Sequence, residues 1–374
     1  MMRKVFDRFS RLDIDDVKSW QATGGKVIGY TCVFTPVEII EAAGLLPFRI
    51  RAAGNSETEM ADARLSRFNC SFCRACLQLG LDGTYDFLDG LIESNGCDQL
   101  RGMFENWQYA RPVDFFHYLK APHFIAPESL DYYTDELGRF QAAIEEYFGV
   151  TTTDEALRDT MERHARIRQK LARLYQLREA ARPAVTGAET MALILAGSAM
   201  ESVKFESLLD GVIEERREHE IEPFRARILL GGSATDEVEF VQMIEEMGGA
   251  VVTDTLCFGT RAFWPQPGIE TGPPLRTLAE IYLRQSLCPR MFDQFDDRLH
   301  FLRQAGERAS VDGVILVHNK FCDVHGIDNA LLRLRLQEGG MPVLCLEKEY
   351  GGLADLGRMR TRVQAFLEQI RGRQ

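Results

Sequence analysis

Two stretches of this chain echo one another. Residues 89–98 read DGLIESNGCD and residues 312–323 read DGVILVHNKFCD, each a β-rich apolar run that closes on Cys-Asp. Such an echo restricts the chain to folds in which one supersecondary pattern is built twice. The flanking pattern says which. Residues 26–31 (KVIGYT) form a short β-rich run, followed by Pro36 in a first helical turn and by apolar Val37, Ile39 and Ile40, so a strand feeds a helix. The alternation continues through residues 47–51, a helical stretch over 70–81, residues 90–93, a helix near 98–109 and residues 123–126. Four strands joined by helical crossovers predict a parallel sheet. After residue 222 the alternation restarts, with strands expected at 227–230, 250–253, 313–317 and 342–346.

Between these halves strand signals vanish, and Leu157, Met161, Leu171, Leu174 and Leu177 recur at helical spacing. The expected organisation is α/β, with an N-terminal half over residues 1–130, a helical region over 131–222 and a C-terminal half over 223–374. The basic run Arg158, Arg163, Arg166, Arg168, Lys170, Arg173, Arg178 and Arg182 reads as a solvated helix face.

With 374 residues and 45% apolar content the chain can bury sizeable cores, which excludes coiled-coil, disordered and collagen-like structures. A formal charge of −12 argues against nucleic acid or anionic lipid as partner. Residues 1–16 carry charges throughout and do not read as a secretory signal, and the longest uncharged apolar stretch, 190–200, is too short to span a bilayer. The expected location is the cytoplasm.

Nine cysteines without an export signal point to metal or redox chemistry rather than a disulfide framework. In open parallel sheets ligands bind beyond the carboxyl ends of the strands. Cys32 and Cys97 follow the first and third expected strands, Cys257 and Cys322 follow the second and third of the later half, and Cys70 opens a helix, where amide dipoles favour a thiolate. Cys288 precedes Pro289 in a turn-like place where ligand and incidental roles are evenly open. Cys70, Cys73 and Cys76 form CSFCRAC, but at about 300° per step on a helix they spread over one broad side. Cys73 and Cys76 are therefore expected to be packing thiols, and Cys345, between Leu344 and Leu346, a buried small hydrophobe. Thiolates gathered from distant loops match neither structural nor catalytic zinc, whereas an iron–sulfur cluster is held by cysteines. If three thiolates serve a cube of four irons, one iron stays open as a Lewis acid. No G-x4-G-K-[ST] run occurs, since Trp20 stands where the first glycine would precede Gly25-Lys26, so ATP hydrolysis is not expected.

VIGYTCVFTPVEIIEAAGLLP (27–47), RFNCSFCRACLQLGL (67–81), FLDGLIESNGCD (87–98), DTLCFGTR (254–261), CPR (288–290), FCDVHG and the terminal EKEYGGLADLGRMRTRVQAFLEQI together resemble the 2-hydroxyacyl-CoA dehydratase and benzoyl-CoA reductase subunits and the related double-cubane cluster proteins. The likeness implies a duplicated Rossmann-like fold and a cluster near the interface of a homo- or heterodimer. It implies a [4Fe–4S] cluster on Cys70, Cys97 and Cys322. In double-cubane relatives Cys32, Cys257 and Cys288 would join them around a paired [8Fe–9S] cluster, and this chain has a cysteine at all six places. The chemistry implied is one-electron reduction of an acyl-CoA thioester to a ketyl radical anion, fed by a separate ATP-hydrolysing iron–sulfur activator. Three roles follow: a reductive acyl-CoA enzyme component, a homodimeric reductase of small molecules, or an electron-carrying or scaffold subunit. The catalytic acid or base stays unassigned. Glu38, Glu93, His318 and His325 are candidates by nearness in sequence alone, and the histidines read as structural.

Overall fold

The computed structural model describes residues 1–52, 54–263, 272–285, 287–351 and 353–372. Its strands are β1 (Val27–Tyr30), β2 (Leu46–Arg49), β3 (Gly90–Ser94), β4 (Phe115–Leu119), β5 (Ala226–Gly232), β6 (Gly249–Asp254), β7 (Gly313–Asn319) and β8 (Val343–Lys348). Helices α1 (Met2–Phe9), α2 (Asp15–Gln21), α3 (Val37–Ala42), α4 (Glu59–Asp62), α5 (Ser71–Leu81) and α6 (Asp98–Ala110) accompany the first sheet. Next come α7 (Pro127–Phe148), α8 (Asp154–Glu179), α9 (Gly187–Gly197) and α10 (Ser202–Arg216). The second sheet carries α11 (Val238–Glu246), α12 (Pro274–Gln285), α13 (Phe295–Arg308), α14 (Asp323–Glu338) and α15 (Leu353–Arg371).

Both sheets are wholly parallel, and their strand orders correspond: β2-β1-β3-β4 and β6-β5-β7-β8. The duplication read from the Cys-Asp echo is therefore a duplication of topology. In this order the chain reverses direction across the sheet between the first and third strands, which opens a crevice at their carboxyl ends. β3 and β7 are the echoing segments. Their strands end at Ser94 and Asn319, so that Cys97 and Cys322 stand at matching places.

One expected strand is displaced. Residues 123–126 form no ladder, and the fourth strand is β4, pairing with β3 from Gly90↔Phe115 to Ser94↔Leu119. Pro122 and Pro127 bracket residues 123–126, and a residue before proline is driven into extended backbone whether or not it has a partner; Pro127 opens α7.

Most strands are buried on both faces, as parallel strands covered by helices must be, whereas β4 and β8, at one edge of each sheet, are partly exposed. One core lies between β1, β3, α3, α7 and α12, where Ile28, Ile92, Tyr133, Phe140 and Leu278 are fully buried. Thus α12 packs on α7 and the first sheet although it follows β6 in sequence. The basic run on α8 divides: Arg166 pairs with Glu206 near the surface, whereas Arg168 and Arg178 are buried against Glu38 and Asp254. α8 packs against both α3 and β6, so it has no single solvated side. Among the described residues no helix is long and apolar enough to cross a membrane.

Candidate functional site

Cys70, Cys97 and Cys322 share one local design. Each is the residue on which a helix starts: α5, α6 and α14 respectively. The positive ends of three helix dipoles therefore meet where the three sulfurs lie, a setting that favours anionic sulfur. The Cys70 thiol interacts with those of Cys322 and Cys73, and Cys97 lies within charge range of both Cys70 and Cys322. The neighbouring Cys322 thiol favours the Cys70 thiolate, but Cys73 and burial outweigh it and push Cys70 above the ordinary thiol range. Burial pushes Cys97 up, against the first-turn amide of Leu100. Cys322 is raised by its interaction with the Cys70 thiol and then by burial. Neutral thiols are what burial dictates when no cation is near; a metal inverts that preference.

Gln99 holds these three helix starts together. Its carbonyl oxygen accepts from the Cys70 amide at 3.1 Å and its amide donates to Asp323 Oδ2 at 3.5 Å. The Ser71 amide donates to the Lys320 carbonyl at 3.3 Å. Phe321, between Lys320 and Cys322, adopts φ 65°, strained for a bulky residue.

Cys32, Cys257 and Cys288 make a second group. Cys288 lies within charge range of Cys32, and Arg261 lies within charge range of both Cys288 and Cys257. The groups adjoin: a Cβ placed on Gly96, next to Cys97, would sit 3.4 Å from the Cys32 sulfur. The motif DTLCFGTR is legible as architecture. Asp254 Oδ1 accepts from the amides of Leu256 and Thr260 at 3.2 and 2.9 Å, while Oδ2 takes Arg178 and the Tyr175 hydroxyl. Gly259 is required by close approach, since a Cβ there would lie 2.0 Å from Asp254 Oδ1.

Three further buried arginines brace the loops. Arg49 donates to the carbonyls of Thr31 (3.0 Å) and Cys257 (2.7 Å). Arg290 donates to the carbonyls of Pro122 (2.7 Å), Asn95 (3.1 Å) and Ala121 (2.8 Å) and stacks over Phe34. Arg298 donates to the Met291 carbonyl at 2.7 Å and to Asp328 Oδ1 at 3.1 and 2.8 Å. Thus the Cys288 loop is tied to the Cys97 loop through Arg290 and to α14 through Arg298. Sequence reasoning assigned no role to Gln99 or these arginines; for Arg261 and Arg290 the signal was their place in the cysteine motifs.

The other cysteines separate. Cys73 is buried in the core and lies within charge range of Cys70, Cys97 and Cys322. Cys76 is fully buried in the core. Cys345 is half-buried on β8, packs against Val314 and its neighbours, and stands apart from both groups.

Among the acid–base candidates, Glu38 is fully buried, paired with Arg168 and accepting from the Tyr282 hydroxyl at 2.6 Å. Burial opposes its ionisation, but Arg168, His164 and Tyr282 prevail and hold it below the ordinary carboxylate range. It is a structural ion. Glu93 differs: its Oε1 is buried without a partner, and burial together with Glu105 pushes it up to about 7. His318 Nε2 lies 3.1 Å from the Cys322 carbonyl. His325 Nδ1 is buried and unpartnered, and burial with Arg261 and Arg298 keeps the ring neutral.

Among the described residues no three His, Cys, Asp or Glu side chains close on one point as they would around a single ion. A cluster makes a different demand, because its thiolates bind separate irons and need to ring a volume. Two observations fit that demand: three thiols on converging helix ends, and buried guanidiniums beside the second thiols, where the Nε atoms of Arg261 and Arg290 have no partner. Both settings are built for an anion, which a thiolate-bound cluster is.

The family model for the 2-hydroxyglutaryl-CoA dehydratase D-component matches residues 32–370. YjiM of Escherichia coli (strain K12), provisionally described as a dehydratase subunit, is 28% identical over 98% of both chains. A benzoyl-CoA reductase subunit of Thauera aromatica is 26% identical over 90% of this chain and 89% of its own. The (R)-phenyllactyl-CoA dehydratase beta subunit of Clostridium sporogenes is 23% identical over 95% and 94%.

Proposed function

The chain belongs to the 2-hydroxyglutaryl-CoA dehydratase D-component family, and from that premise we propose that it is the iron–sulfur component of a reductive enzyme acting on acyl-CoA thioesters. The reactions envisaged are dehydration of a 2-hydroxyacyl-CoA or reduction of an aromatic acyl-CoA, the chemistry named in its relatives. The observation that carries this reading is the convergence of Cys70, Cys97 and Cys322 on three helix starts at the carboxyl edges of two parallel sheets. These three would hold a [4Fe–4S] cluster. When bound, the cluster supplies low-potential electrons and an open iron able to polarise a thioester carbonyl. The chain's own part is to present the thiols on rigid helix ends, brace them through Gln99, and keep the pocket short of water. Electrons would come from a separate ATP-hydrolysing activator, since the chain carries no P-loop motif.

Anaerobic purification should yield a brown protein whose iron and acid-labile sulfide fall together in Cys97→Ala and Cys322→Ala. With activator, ATP and reductant it should turn over a 2-hydroxyacyl-CoA or an aromatic acyl-CoA. A colourless protein that binds only zinc sinks the proposal.

The second thiol group favours a further reading, in which Cys32, Cys257 and Cys288 join the first three around a paired [8Fe–9S] cluster and a homodimer reduces small molecules without a CoA ester. Iron counting separates the readings, because a paired cluster brings about eight irons per chain and a single cube about four. Iron content untouched by Cys257→Ala and Cys288→Ala excludes the paired form.

A further inference from the structure

Arg261 is 3% exposed, and among the described residues no carboxylate is bound to it. The acidic group whose charge it feels, Asp328, is committed to Arg298 through two hydrogen bonds. Its neighbours are instead sulfur: the Cys288 and Cys257 thiols both lie within its charge range, and its Nε is buried and unpartnered. Buried charges are retained where they are paired or bind an ion, because an isolated one costs many kcal/mol in desolvation. Its position is enforced rather than incidental. The Arg261 amide donates to the Leu256 carbonyl at 3.1 Å inside the turn organised by Asp254, so one capped loop delivers Cys257 and the guanidinium together. Arg49 and Arg290 add two more buried cations bound to backbone carbonyls, with no carboxylate paired among the described residues.

We propose that Arg261 is the charge-compensating residue of the second thiol group, holding its guanidinium against the sulfur of a cluster bound by Cys32, Cys257 and Cys288 and raising that centre's reduction potential. The proposal rests on the paired-cluster reading. A cation in a low-dielectric site stabilises the more negative, reduced state most, and hydrogen bonds to sulfur act in the same sense. The expected consequence is a potential that drops when the charge is removed and returns when a different cation replaces it.

The test uses the full chain purified anaerobically, with iron counted first and potentials then read by redox titration followed through visible absorbance and electron paramagnetic resonance. Arg261→Gln should keep wild-type iron and move one centre to a more negative potential, and Arg261→Lys should recover most of the shift. Loss of iron in Arg261→Gln, to the level of Cys257→Ala, with retention in Arg261→Lys, supports the same charge requirement. Unchanged potentials in an iron-replete Arg261→Gln overturn the proposal, as does equal iron loss in both variants, which would make Arg261 a packing residue. Failure of the underlying reading shows earlier and elsewhere: wild-type protein with about four irons, unaffected by Cys257→Ala, leaves no second cluster to compensate.

Discussion

Glu93 stands at the carboxyl end of β3, three residues before the β3–α6 loop reaches Gly96, with Oε1 buried and unpartnered. Burial, and then Glu105, lift it from 4.5 to about 7, against the pull of Arg101. The fold thus prefers the neutral acid. Its contribution to stability is full below pH 4.5, declines as pH rises, and is lost above about 7. Glu93→Gln fixes the neutral state, so it should match the wild type in acid and exceed it by about 1–2 kcal/mol at pH 8, after allowance for solvent screening. Urea midpoints at both pH values read this; parallel pH profiles for the two proteins would refute it. Cys76 poses a different question. Fully buried in the core and about 240° around an ideal helix from Cys70, it should tolerate Cys76→Ala with iron content intact and a stability loss of about 1 kcal/mol. Cys73, about 60° around the helix from Cys70, is within reach of a shared ligand site, and loss of iron in Cys76→Ala would make CSFCRAC a multidentate motif.

Helix starts and turns set the site, and the arginines that hold them were the least legible part of the sequence. The strand sequence was readable because apolar β-rich runs alternate with helical periods, yet residues 123–126 imitate a strand through flanking prolines alone. Strand order was not readable, because ladder pairing depends on which crossovers pack, and neither was any arginine's partner, since backbone carbonyls leave no trace in composition. The Arg298–Asp328 pair shows what such a brace is worth. Breaking a buried pair strands a charge, so Arg298→Met should cost about 3–5 kcal/mol, while Arg298→Met with Asp328→Leu should regain most of it. Denaturant unfolding of both variants decides this, and a double variant no better than the single one would show that the ties to Met291 dominate. Gly259→Ala tests the other turn. The new Cβ would meet Asp254 Oδ1 at 2.0 Å, so a loss of about 1–3 kcal/mol is expected, with the Cys257 loop the first to loosen.

Duplication at the scale of the molecule places Cys97 and Cys322 at equivalent strand ends, and the Cys-Asp echo already carried it in the sequence. What no echo foretold is the outer face of the same edge. On α14, the helix that starts at Cys322, Ile327, Leu331 and Leu334 are 69%, 45% and 54% exposed and follow i, i+4, i+7 spacing, so they form one apolar stripe. Phe68, 74% exposed, meets Phe321 edge to face nearby with ring centroids 5.3 Å apart. A stripe of that kind beside a cysteine group is where a partner would exclude water from the site, and the relatives are subunits by name. The relatives' names point to a related subunit as the occupant, and a second copy of this chain is the case tested directly. Leu331→Glu keeps a good helix former on α14 while placing a charge in the stripe, so the folded chain should shift from dimer to monomer. Sedimentation reads the mass and circular dichroism confirms retained helix. A wild type that is monomeric by itself, or a Leu331→Glu dimer of unchanged stability, would remove the stripe from the interface and leave the cysteine edge to be covered by a different chain.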